Sequence, residues 1–247
     1  MMKTEAKARN TRSRVRSREA GRRPARGADR SVIEVIMGFK LHSLFYSELL
    51  TTVEGSLAER GRDCVVRSAN GQFEDFVRLC ELLRTSPDTP TLMIGYLPLD
   101  QLRTLLEVRP HAILVDHTGD PRLGMSYACV GFDNAEAARM VVRHLAETGR
   151  REILLVRGFP EHYFSREVEQ GYREALAEAG WPVEARRLVD TDFSAAAAAR
   201  EIGRALDEGV SFDAVMTNDE MALGVLQELR ERGLSAPDDV AVAGCDG

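Results

Sequence analysis

Asn218 and Asp219 are the residues whose setting most suggests chemistry. They lie between an apolar, strand-like run at 212–216 and a helical repeat of Met221, Val225, Leu226 and Leu229, which Gly233 closes. Thr217 and Glu220 have capping-box spacing for the start of that helix. The pair therefore sits at the carboxyl end of a strand, where open α/β sheets bind ligands. Other side chains fall at equivalent points. Ser43, Phe45 and Tyr46 belong to the run Lys40-Leu-His-Ser-Leu-Phe-Tyr after the first strand, Asp116 follows the fourth, and Asp246 follows the last. Carboxylates accept hydrogen bonds and an amide both accepts and donates, so such a set suits a hydroxyl-rich ligand with a ring stacked on its apolar face. Each residue alone reads as a cap or turn residue more readily than as a ligand contact, and Asp219 could simply favour its helix N-terminus.

Other chemistries lack their patterns. There is no G-x-x-x-x-G-K-[ST] loop, G-x-G-x-x-G, H-E-x-x-H or G-x-S-x-G, so no phosphate loop, dinucleotide fingerprint, zinc helix or nucleophile elbow is expected, and no cofactor or catalytic role. His111 and His144 read as structural and surface residues. Cys64, Cys80, Cys129 and Cys245 form no C-x-x-C pair. They read as small buried hydrophobes in a reducing compartment and not as metal ligands.

The elements that must position these residues alternate. Strand candidates at 32–37, 64–66, 91–94, 112–115 and 127–130 are interleaved with helices at 44–60, 73–83 and 99–108. The pattern then restarts. Asp133 and Glu136 cap a helix carrying Ala138, Val141, Val142 and Leu145, and strands at 153–156 and 188–189 alternate with helices at 165–179 and 195–206. Strand–helix alternation predicts parallel sheets covered on both faces. Two runs predict two subdomains, 31–132 and 133–247, with one long sheet as the alternative.

Charge is divided along the 247 residues. Residues 1–30 hold 11 Lys or Arg against 3 acids, net +8, whereas the remainder holds 22 against 36, net −14. An arginine-rich arm, with Arg12, Arg14, Arg16, Arg22 and Arg23, reads either as a solvated tail or as a weak, salt-dependent contact for a polyanion such as DNA. No apolar run reaches the roughly 20 residues of a membrane span, and no apolar segment follows the basic start, so a cytoplasmic protein is expected. Mitochondrial targeting is a weaker alternative, because the arginines alternate without an apolar helical face.

The segments Thr217-Asn-Asp-Glu-Met-Ala-Leu-Gly, 236–247, Val130-Gly-Phe-Asp-Asn, 144–153 and Gly171-Tyr-Arg-Glu-Ala-Leu-Ala-Glu-Ala-Gly resemble, in order and spacing, the effector domain of LacI/GalR-type transcription regulators. The resemblance spans 31–247. It implies two Rossmann-like α/β subdomains with a ligand cleft between them, as in type I periplasmic binding proteins, and a homodimer that senses a small effector, often a sugar. It assigns effector contacts to Ser43, Phe45, Tyr46, Asp116, Asn218 and Asp246. Relatives place an effector-binding arginine three residues before the Gly-aromatic pair. Here that position is Val168, and Arg166 is the nearest candidate, provided the helix begins late enough to turn it inward. Relatives also carry an N-terminal helix-turn-helix head that binds operator DNA, of which only a remnant is expected in 1–30, and they return to the first subdomain beyond the point matching Gly247. A periplasmic-type sugar receptor feeding a transporter is the alternative function, since it shares the fold. A sugar-modifying α/β enzyme is a third.

Overall fold

The computed structural model describes residues 31–38, 43–69 and 73–246. The arm with Arg12, Arg14, Arg16, Arg22 and Arg23, and Lys40 in the first loop, lie outside the described residues.

Among the described residues, nine strands form two parallel sheets. The first contains β1 (Val32–Met37), β2 (Asp63–Ser68), β3 (Thr91–Ile94), β4 (Ile113–Val115) and β5 (Ala128–Val130) in the order β2-β1-β3-β4-β5. The second contains β6 (Ile153–Arg157), β7 (Leu188–Asp190), β8 (Ala214–Met216) and β9 (Ala241–Ala243) in the order β7-β6-β8-β9. Helices α1 (Leu44–Glu59), α2 (Phe73–Arg84) and α3 (Leu99–Val108) serve the first sheet, and α4 (Asn134–Glu147), α5 (Tyr163–Glu178), α6 (Ala195–Asp207) and α7 (Asp219–Glu231) the second. Among the described residues the chain passes between the sheets once, through residues 131–133.

Strand alternation assigns the faces. Ile153 and Leu155 pack with Val142, Leu145, Val168 and Tyr172 of α4 and α5. Leu154 and Val156 point the other way, into Ile202, Val225 and Leu229 of α6 and α7. In the first sheet, Ile36, Met93 and Leu114 face α2 and α3, while Val35, Met37 and Ile94 face Tyr46 of α1. Apolar strands covered on both sides are what a parallel sheet requires.

Gly171 is where α5 meets α4. A Cβ there would fall 2.0 Å from the carbonyl oxygen of Ala135, so only glycine allows this approach. The first sheet carries a buried charge that its apolar pattern hides. Glu34, within β1, takes hydrogen bonds from Arg109 and Arg67, each at 2.8 Å. Burial raises the Glu34 carboxyl, but the two guanidinium groups outweigh it and hold the group below its usual range.

Two local expectations change. Thr217 does not cap α7. Asn218 does, accepting the Met221 N–H at 2.9 Å, because β8 ends at Met216 and the extended backbone turns Asn218 into the cap position. The cysteines are free, but only Cys80 is fully buried, and Cys129 is exposed on the edge strand β5.

Candidate functional site

The loops leaving β4, β8 and β9 converge with the start of α1 on one cleft. It encloses about 850 Å³, counted out to open solvent. Six of the seven sequence candidates line it together: Ser43, Phe45, Tyr46, Asp116, Asn218 and Asp246. Phe132, Asn134, His162, Phe164, Phe193, Glu220 and Cys245 line it as well.

Asp116 is the hub. It leaves β4 with φ 55°, a left-handed conformation that Asp tolerates better than most residues. Its Oδ2 accepts the Tyr46 hydroxyl at 3.0 Å and the Tyr163 hydroxyl at 2.7 Å. Tyr46 belongs to the first lobe and Tyr163 to the second, so one carboxylate oxygen ties the two together. Burial pushes the Asp116 carboxyl up to about 6 although both hydroxyls pull it down, and the Asp246 charge adds to the rise. Burial beside Asp116 likewise raises both tyrosine hydroxyls, which stay protonated donors.

The opposite wall is built at helix α7 and the end of β9. Asn218 spends its Oδ1 on the Met221 N–H, which leaves its amide NH₂ as a donor toward the cleft. Asp246 is held by a reciprocal pair of contacts. The Asp219 N–H donates to Asp246 Oδ2 and the Asp246 N–H to Asp219 Oδ1, both at 3.3 Å. Asp219 thus supports the site and does not face it. This close approach depends on Gly244, where a Cβ would fall 2.0 Å from Asp219 Oδ1. Loss of solvent raises the Asp246 carboxyl, and the neighbouring charges of Asp219 and Glu220 raise it further. The Asn218 amide donor and the Asp116 and Asp246 acceptors, in a cleft walled by Phe45, Phe132, Phe164 and Phe193, match the demands of a polyhydroxylated ring.

Arg166 is not brought to the cleft. Helix α5 begins at Tyr163, two residues earlier than its apolar repeat predicts, because His162 caps it through Nδ1, which accepts the Phe164 N–H at 3.2 Å. That phase places Val168 in the second-lobe core. It sends the Arg166 guanidinium to the Glu161 carbonyl at 2.5 Å and Asp120 at 3.2 Å.

The first turn of α5 supplies what sequence reasoning missed. His162 stacks on Tyr96 of the first lobe, ring centroids 4.5 Å apart. Burial first, and then Arg166, lower its pKa to about 3, so the imidazole is neutral. Glu167 takes hydrogen bonds from Thr118 and from Asn134, the latter at 2.7 Å. His162 and Tyr163 follow β6 just as Asn218 follows β8, and that position was the available signal.

Two lobes of parallel sheet meeting at a polar, aromatic-walled cleft have the architecture of a periplasmic binding protein-like domain, and residues 142–247 match the family model of that description. The chain is 33% identical over 208 residues to the HTH-type transcriptional regulator CelR of Thermobifida fusca, covering 82% of this chain and 59% of that protein. It superposes on a LacI-family transcriptional regulator of Sanguibacter keddieii with a TM-score of 0.72 at 30% identity, over 87% of this chain and 76% of the other. It superposes on a CelR–cellobiose complex with a TM-score of 0.76 at 27% identity, over 87% and 67%. The chain belongs to the LacI family. These relatives are transcription regulators and not enzymes. The chain spans about 60% of the length of the curated relatives it matches.

Proposed function

We propose that residues 31–247 are the effector-sensing part of a LacI-type transcription regulator, with 31–132 and 133–247 as its two lobes. A small sugar binds between the lobes and alters how a homodimer engages operator DNA through a helix-turn-helix head. One observation carries this reading: Asp116, Asn218 and Asp246, from three separate strand ends in two sheets, face the same cleft. In this assignment Ser43, Phe45 and Tyr46 complete the contacts, and Arg166 takes no part. The regulator acts in the cytoplasm. No helix among the described residues is long and apolar enough to cross a membrane. A ligand shifts such a two-lobed system only as far as it prefers one arrangement of the lobes.

Thermal-shift screening with mono- and disaccharides tests the assignment, and cellobiose belongs in the panel because a relative has been solved with it. A binder raises the midpoint, as any native-state ligand does. Asn218→Ala removes that rise, besides costing the cap about 1 kcal/mol. An unchanged rise in the Asn218→Ala protein contradicts the cleft assignment.

A further inference from the structure

Among the described residues, three carboxylates face the cleft without a cationic partner. Asp116 stands at the end of β4, Glu220 in the first turn of α7, and Asp246 beyond β9. Asp116 is bonded to two tyrosine hydroxyls and Asp246 to a backbone N–H. The nearby guanidinium groups are already engaged. Arg166 is paired with Asp120, and Arg157 with Asp190 and Glu169. His162 adds no positive charge, since it is buried and accepts the Phe164 N–H at Nδ1. The rest of the described wall is mainly aromatic rings and the Asn218 amide.

We propose that this cleft selects its effector by charge, admitting an uncharged, hydroxyl-rich ring and rejecting the same ring bearing a phosphate or carboxylate. The inference rests on the reading of the cleft as the effector site. Hydroxyl groups donate to Asp116, Glu220 and Asp246, and each such bond to a charged acceptor is stronger than a neutral one. An anionic substituent meets three like charges where water is partly excluded and Coulomb repulsion is weakly screened. Rejection by repulsion needs no dedicated contact to the wrong ligand. The influence of Asp246 on Asp116, and of Asp219 and Glu220 on Asp246, agrees with this. Asp116 and Asp246 are each raised from the ordinary value, first by loss of solvent and then by neighbouring negative charge. Asp116 nevertheless remains ionised above about pH 6.

The experiment uses the full 247-residue chain at pH 7.5. Midpoint shifts and calorimetric affinities are measured for glucose, galactose, maltose and cellobiose. Glucose 6-phosphate, galactose 6-phosphate and glucuronate are then measured on the same protein. The expected result is a neutral binder whose anionic derivative binds at least about 30-fold more weakly, the order expected from juxtaposed like charges. Asp246→Asn keeps an acceptor for the Asp219 N–H, and Glu220→Gln changes no side-chain hydrogen bond among the described residues. Each removes one charged acceptor from the neutral sugar and one repelling charge from the anionic one, so the ratio of the two affinities is expected to narrow about tenfold. An anionic sugar that binds as tightly as its neutral parent overturns the charge selection. If Asn218→Ala abolishes that binding, the cleft assignment stands. A gap that neither substitution narrows shows that the acids are not its cause and overturns the inference in that form. If no sugar shifts the midpoint, the sugar-sensor reading itself fails and charge selection fails with it.

Discussion

Asp116→Asn separates the stability of this fold from its sensing. The folded chain holds the Asp116 carboxyl at about 6, against an ordinary value of 3.8, chiefly because burial penalises the charge. The folded state therefore binds this proton more tightly than the unfolded chain does. Its stabilising effect is complete below about pH 4, declines as the pH climbs from 4 to 6, and is gone above. At about 1.4 kcal/mol per pH unit, the interval between 3.8 and about 6 corresponds to about 3 kcal/mol. An asparagine has no such proton, and its amide oxygen still accepts the Tyr46 and Tyr163 hydroxyls. The measurement is urea unfolding of both proteins at half-unit steps from pH 4 to 7.5, read as their difference so that other groups cancel. The wild type should lose about 3 kcal/mol relative to Asp116→Asn across that range, a midpoint difference of order 1 M urea, and then stay level. The variant should also lose its effector response, since an acceptor facing the ligand becomes an amide. A difference that is flat, or that grows in favour of the wild type as pH rises, refutes the reasoning. The same linkage implies that a ligand donating to the carboxylate binds more tightly as pH rises through 6.

Other expectations follow from the same contacts. Tyr163→Phe deletes the 2.7 Å bond to Asp116, which should cost about 1.5–3 kcal/mol and move the Asp116 window to higher pH, and a pH-unfolding series identical to wild type would contradict it. Glu34→Gln leaves Arg109, only 2% exposed, without its charged partner, so chemical denaturation should show a loss of about 3–5 kcal/mol, and a loss below 1 kcal/mol would contradict the buried pair. Gly171→Ala drives a methyl group against the Ala135 carbonyl and should cost about 1–3 kcal/mol in thermal unfolding, whereas an unchanged midpoint would mean that α4 and α5 are not so closely apposed.

Most of the scaffold could be read from residue patterns because it obeys them. Asp133 caps α4 by accepting the Glu136 N–H, and Gly233 ends α7 in the left-handed region, φ 75°. The departures have local causes. Thr217 and Glu220 have the capping-box spacing, but β8 ends at Met216 and gives the cap to Asn218. Helix α5 begins early because an imidazole nitrogen serves as its cap, a choice that capping rules rank below Ser, Thr, Asp and Asn. That shift in phase decided the fate of Arg166. Glu34 lies in an apolar strand run, where alternation suggests an outward-facing residue, and its partner Arg109 is 75 residues away. Asp116, Asp246 and the Asn218 amide were visible because strand ends are predictable, whereas the sequence marks Glu220 only as a capping residue. The aromatic wall was not, since Phe132, Phe164 and Phe193 come from loops and helix starts whose directions only packing sets.

A helix fused to its neighbour cannot tilt by itself. Helix α5 has 16 residues, about 24 Å of length. One end carries Tyr163 and Glu167 against the first lobe, and further along it is pressed onto α4 at Gly171. With a single chain crossing among the described residues, the setting of one lobe on the other depends heavily on those side chains. Asp116 is thereby joined through Tyr163 and α5 to α4, whose Met140 stands in solvent.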